Sequence, residues 1–131
     1  MLRVSIVTIF PEFFTGPLAL SIPARAAAAG SVSYTVIDLR EFTHDRHRTT
    51  DDTPYGGGHG MVMKVAPIVE ALDGIATAAP RAHRILLSPR GTQLDHRKAT
   101  DLAALEDLVL ICGRYEGVDE RVQQFVDEEL S

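Results

Sequence analysis

Short runs of β-branched residues and leucine alternate along the chain with stretches in which apolar residues recur every three or four positions. The segment RVSIVTIF, Arg3 to Phe10, predicts a first strand buried on both faces. GPLALSIPARAAAAG predicts a helix stopped at Gly30, with Pro23 unfavourable near its middle. SVSYTVIDL alternates Val32, Tyr34 and Val36 and predicts a second strand. In APIVEALDGIATAAP, Ile68, Val69, Leu72, Ile75 and Ala76 keep helical spacing. HRILLSP predicts a strand running into a turn, LDHRKATDLAAL a helix, and LVLICG a strand ending at Gly113. The final VDERVQQFVDEEL sets Val118, Val122, Phe125, Val126 and Leu130 on one face of a helix whose acidic end is solvated. Strand followed by helix, repeated, predicts an α/β fold: a mainly parallel sheet with helices on both faces. No internal repeat, low-complexity tract or linker divides the chain, which reads as a single domain, 1–131.

One connection breaks this rhythm. From Arg40 to Gly60 about 20 residues lack apolar periodicity, and connections of that length in a compact domain are usually functional or disordered. It holds PYGGGHG, with Gly56, Gly57, Gly58 and Gly60 interrupted only by His59. Glycines admit close approach of another group to the backbone at a cost in folding entropy, so four together need a reason. A mobile Gly-rich loop shares this composition. Pro54 and Tyr55 on one side and the apolar run MVMKV on the other are unusual for such a linker. No Gly-Lys-Ser/Thr follows, and Met61 falls where the last glycine of G-x-G-x-x-G should be, which argues against both familiar phosphate loops.

Composition adds limits. The chain has 131 residues, 45% hydrophobic and 24% charged, as in ordinary soluble proteins. One cysteine, Cys112, excludes an internal disulfide and suits a reducing, cytoplasmic setting; inside an apolar strand it reads as a small buried hydrophobe. MLRVSIVTIF has Arg3 before an apolar run, as in a signal peptide, but Pro11 and Glu12 end the run and its valines and isoleucines suit a strand. Net charge is −5, which disfavours broad, sequence-independent nucleic-acid binding. The total hides a local exception: 11 of the 13 basic side chains are arginine, and REFTHDRHR gathers Arg40, Arg46 and Arg48 beside His44 and His47. The arginine fork suits phosphate, although a solvated charged loop has the same composition.

Two strand ends, LLSPRG and LICGRYEGVDE, leave apolar runs for turn-rich polar segments. Ligands of open α/β sheets bind outside the carboxyl ends of strands, so the two ends are expected to build one pocket. Together with FTHDRHRTTDDTPYGGGHGM, the motifs LLSPRG and CGRYEGVDERV closely resemble the bacterial tRNA (guanine-N1)-methyltransferase family of knotted α/β (SPOUT) methyltransferases. The likeness runs from IFPEFF through DEELS, essentially the whole chain.

The resemblance implies methyl transfer from S-adenosylmethionine to N1 of the guanosine 3′ of the anticodon in tRNA, by a cytoplasmic homodimer. It implies cofactor contacts from Leu87, Ser88, Pro89, Gly91, Gly113, Tyr115, Glu116 and Gly117. Substrate contacts are implied for Arg46, Arg48, Tyr55, Gly56, Gly57, Gly58, Gly60 and Arg114, with Asp51 and Glu116 near the target guanine in supporting catalytic roles. Family members continue past the equivalent of Ser131 with a third cofactor loop, the segment that completes the trefoil knot, and a carboxyl-terminal domain, and that further part also carries the aspartate proposed as general base. The chain therefore resembles the amino-terminal part, expected to be open, unknotted, weak in cofactor binding and inactive by itself. Arg90 departs from the glutamine more usual in the family. Two other readings stay open: a non-catalytic module binding tRNA or an adenosyl ligand, and a metal-dependent hydrolase using His44, Asp45, His47, Asp51 and Asp52, for which no second ligand pair at recognised spacing follows.

Overall fold

A computed structural model describes residues 1–52, 62–114 and 117–131. Five parallel strands form the main sheet in the order β2-β1-β6-β5-β7, comprising β1 (Leu2–Thr8), β2 (Val32–Asp38), β5 (His83–Thr92), β6 (Asp107–Cys112) and β7 (Glu128–Leu130). Two short antiparallel strands, β3 (Asp51–Asp52) and β4 (Val62–Met63), form a separate ribbon. The helices are α1 (Pro11–Leu18), α2 (Ser21–Ala28), α3 (Val65–Ala78) and α4 (His96–Ala103).

The alternation of side chains along the strands explains why both faces are covered. Val7 and Ile9, Leu86, and Val109 and Ile111 face a core closed by Ile68, Ala71 and Leu72 of α3. Val4 and Ile6, Ile85 and Leu108 face a second core, where Phe14 and Leu18 of α1 and Leu102 of α4 pack. Strands buried on both sides carry nearly continuous apolar runs, which is how they were legible in the sequence.

Two expectations are corrected. The single helix expected before Gly30 is two, broken at Ala19 and Leu20. Proline is tolerated in the first turn of a helix, where its missing N–H has no partner to lose, so Pro23 sits in the first turn of a helix restarted at Ser21. Gly30 is the stop, at φ 76°. The helix expected over Val118–Leu130 is a 3-10 turn, Glu120–Phe125, followed by β7. Of its presumed apolar face, Val122 and Leu130 are buried but Phe125 is 37% exposed.

The acidic tail is not a solvated face either. Glu128 accepts from Lys98 Nζ at 2.9 Å and lies 2.5 Å from His83 Nε2, joining β7 to α4 and the start of β5. Lys98 and His83 hold the Glu128 carboxyl below the usual range against the opposing effect of burial, and Glu128 in turn raises Lys98.

β7 shapes the end of β5. Leu87 and Thr92 both register with Leu130, so the four residues between them, Ser88 to Gly91, leave the ladder as a bulge. Gly91 passes so close to β7 that a Cβ there would lie 2.5 Å from the Leu130 nitrogen. Hydrogen bonds Ser131 N to Thr92 O and Leu94 N to Ser131 O, both 2.8 Å, close the bulge behind it.

Two outcomes follow. Gly91→Ala is expected to cost about 1–3 kcal/mol in urea unfolding, as overpacking against immovable backbone does, and to accelerate amide exchange at Leu130. Glu128→Gln is expected to lower the thermal midpoint at neutral pH. A depressed carboxyl stabilises above its ordinary pKa of about 4.3 and loses that contribution as pH falls toward its folded value, so the two midpoints should converge below about pH 4.

Candidate functional site

Outside the carboxyl ends of β5 and β6 lies a cleft of about 410 Å³. One wall is the β5 bulge: Leu86, Leu87, Ser88, Pro89 and Arg90. The other comes from the segment after β6: Gly113, Gly117, Val118, Asp119 and Glu120, with Val62 of β4 beneath. Leu87 is 38% exposed, an apolar surface offered to the cleft rather than to the core. Ser88 Oγ accepts from Arg90 N at 3.1 Å and so fixes the bulge internally. Across the opening Arg90 Nη1 stands 3.6 Å from Glu120 Oε1; both side chains are well exposed, and such a pair contributes little to stability.

The second wall is anchored by backbone pairing to β4. Met63 N donates to Gly117 O and Asp119 N donates to Met63 O, each at 3.0 Å, with the Met63 side chain fully buried. Gly117 adopts φ 130°, which side-chain-bearing residues rarely take, so the turn into this pairing needs glycine there. Asp119, 6% exposed, accepts from Arg121 N at 2.9 Å and binds the Arg121 guanidinium in two contacts of 3.0 and 2.6 Å. That guanidinium, with help from the Arg121 N–H, holds the Asp119 carboxyl below its ordinary range although burial pushes it upward.

The placement of the expected residues is uneven. Leu87, Ser88, Pro89, Gly113 and Gly117 converge on the cleft. Gly91 does not line it; it serves the close passage of β7. Tyr115, Glu116, Tyr55, Gly56, Gly57, Gly58 and Gly60 lie outside the described residues. Asp51 pairs with Met63, one residue from Val62 in the cleft floor. Arg46 and Arg48 sit in an exposed turn away from the cleft lining. There Arg48 has φ 52° and Asp45 accepts from Thr49 N and Thr49 Oγ1, which lowers the Asp45 carboxyl pKa. Arg114 is exposed beyond β6, its guanidinium carbon 4.8 Å from the Phe10 ring centroid.

Val62, Val118, Asp119 and Glu120 were not expected to line the cleft from the sequence. Asp119 left a signal in the Asp-x-Arg spacing of VDER, whereas Val62 left none. For the metal-hydrolase reading, His44 is engaged by Glu70 at 2.8 Å and Asp45 by Thr49. Among the described residues no three His, Cys, Asp or Glu side chains are grouped as a metal site. Burial pushes the Cys112 thiol up to about 11.

The family model for tRNA (guanine-1)-methyltransferase TrmD matches residues 2–131. The chain belongs to this family. It is 47% identical over 131 residues to a tRNA (guanine-N(1)-)-methyltransferase of Geobacter sulfurreducens, covering 99% of this chain and 54% of that protein. It is 52% identical over 136 residues to one of Koribacter versatilis, covering 99% of this chain and 51% of the other. The crystal structure of tRNA (m1G37) methyltransferase from Aquifex aeolicus superposes with a TM-score of 0.90 at 40% identity, over 99% of this chain and 59% of that one. The chain thus spans about half the length of the curated relatives it matches. Membership of a methyltransferase family implies a methyl donor. No helix among the described residues is long and apolar enough to cross a membrane.

Asp119→Ala removes charge-assisted bonds from a buried carboxylate, for which a loss of about 1.5–3 kcal/mol is expected. Amide exchange should rise specifically at Met63 and Asp119, the two ends of the pairing that Asp119 holds in place.

Proposed function

We propose that these residues form one methyltransferase unit that binds S-adenosylmethionine in the cleft between the β5 bulge and the Gly113–Glu120 segment, for methylation of guanine N1 in tRNA. The observation that carries this reading is the convergence of Leu87, Ser88, Pro89, Gly113 and Gly117 on one cleft at neighbouring strand tips. The lining suits an adenosyl group: Leu87 and Val118 offer apolar contact to a flat ring, and turn backbone at Ser88 and Gly117 leaves polar groups at its edge.

When bound, S-adenosylmethionine supplies an electrophilic methyl group on a sulfonium. Guanine N1 would have to give up its proton to accept that methyl group, so the site would need a carboxylate within hydrogen-bonding reach of N1. Asp119 is committed to Arg121 and Glu120 faces Arg90, so the described carboxylates of the cleft are poor candidates for that base. Asp51 and Glu116 are the supporting acids of this reading, with the general base outside the 131 residues, in keeping with a tRNA-methylating homodimer of the cytoplasm. The chain's own contribution is then to hold donor and acceptor in line and to exclude water.

That pairing of the cleft carboxylates equally favours a second reading, binding of an adenosyl ligand without turnover. The distinguishing measurement is methyl transfer to a tRNA transcript, with guanosine or adenosine 3′ of the anticodon, by this chain and by a version as long as the relatives. Transfer by the longer protein alone, dependent on guanosine, is expected. Binding is tested by amide chemical-shift mapping with S-adenosylmethionine: shifts should cluster at Leu87–Arg90 and 113–119, and Gly117→Val should weaken affinity at least about tenfold. Shifts elsewhere, or none at millimolar ligand with the fold intact, would sink the assignment.

A further inference from the structure

Two side chains of opposite charge face each other across the mouth of the cleft, one from each wall. Arg90 leaves the β5 bulge, and Glu120 begins the 3-10 turn Glu120–Phe125. We propose that they read the amino-acid end of the adenosyl ligand, Arg90 taking its α-carboxylate and Glu120 its α-ammonium, and so select a zwitterionic ligand over one without that end. The inference rests on the S-adenosylmethionine reading of the cleft given above.

The walls fix where each charge starts from. Arg90 N donates to Ser88 Oγ at 3.1 Å, and the next residue, Gly91, is pressed against the β7 backbone. On the other wall the Asp119 carboxylate accepts from Arg121 N at 2.9 Å, which caps the turn that Glu120 begins. Both backbones are thus held, while the two side chains, 60% and 80% exposed, reach into solvent. Charges carried on backbone already in place spare a ligand the cost of ordering it.

The pair is suited to exchange. Arg90 Nη1 and Glu120 Oε1 stand 3.6 Å apart, beyond hydrogen-bond length, and an exposed pair of this kind holds little free energy. A ligand bearing both charges on one carbon replaces it and leaves neither side chain unpaired. Away from this pair the lining is apolar at Leu86, Leu87 and Val118, and the Asp119 carboxylate is already bound to Arg121. A flat base against the apolar lining and a zwitterion at the mouth therefore leave no charge buried without a partner. Charge complementarity in such a position gives selectivity more than affinity.

The test is a cycle of two variants against three ligands, read by amide-shift titration of this chain at low salt. S-adenosylhomocysteine carries the amino-acid end without the sulfonium charge, its decarboxylated counterpart keeps only the amine, and methylthioadenosine lacks both groups. Arg90→Gln is expected to weaken S-adenosylhomocysteine about three- to fivefold, the upper range for an exposed ion pair, and to leave the decarboxylated ligand unchanged. Glu120→Gln should weaken both by a similar factor. Neither variant should alter affinity for methylthioadenosine, and the losses should shrink as added salt screens the charges. Equal losses for methylthioadenosine overturn the proposal, because the side chains would then shape the cleft rather than read the end group. If the parent chain binds none of the three at millimolar ligand with its fold intact, the cofactor reading falls together with this one. Parent binding of S-adenosylhomocysteine to which both variants are indifferent overturns this one alone.

Discussion

Two hydrogen bonds from the main chain of Met63 carry much of the site's order. They pair a two-residue strand with the segment after β6, although the two are far apart in sequence. Met63 is fully buried among the side chains under α3, so the pairing is fastened to the larger of the two cores. Lys64 N also donates to Thr50 O, and Thr50 is itself buried, which ties the end of the long polar connection to the same point. Without this junction the second wall of the cleft would be an unsupported loop, and an unsupported loop orders itself only at the expense of ligand affinity.

The other wall depends on an equally specific fit. The β5 bulge exists because β7 pairs with β5 on both sides of it, and β7 comes that close because position 91 has no side chain. The His83–Glu128–Lys98 cluster secures the opposite end of the same strand. Sequence features with no evident connection to chemistry, a glycine and one glutamate between a histidine and a lysine, therefore decide the outline of the cleft. Arg121 works in the same way on the other wall by fixing Asp119.

Much of this was readable before any coordinates. The strands β1, β2, β5 and β6 announce themselves because burial on two faces demands unbroken apolar runs, and parallel order follows from the intervening helices. That the strand tips at Leu87–Pro89 and at Gly113 and Gly117 would border one cleft was legible from turn residues after those runs. What failed was the last element. Val118, Val122 and Leu130 satisfy a helical period by coincidence, while Glu128 and Glu129 give no sign of the partners that make β7 a strand. Pairing of that kind is decided by residues 38 to 45 positions away, such as Thr92 and His83, and no local pattern encodes it. Gly91, expected as a ligand contact, closely meets the backbone of β7, and a glycine required by neighbouring backbone looks the same in a sequence as one required by a ligand.

The environment of Cys112 has a practical side. With its thiol raised to about 11, only about one molecule in ten thousand carries a thiolate there at pH 7, and alkylating reagents attack the thiolate. Because these 131 residues hold no other cysteine, a single new one introduced on their exposed surface could take a maleimide dye or spin label selectively, with the sulfur of Cys112 left in place as a silent bystander.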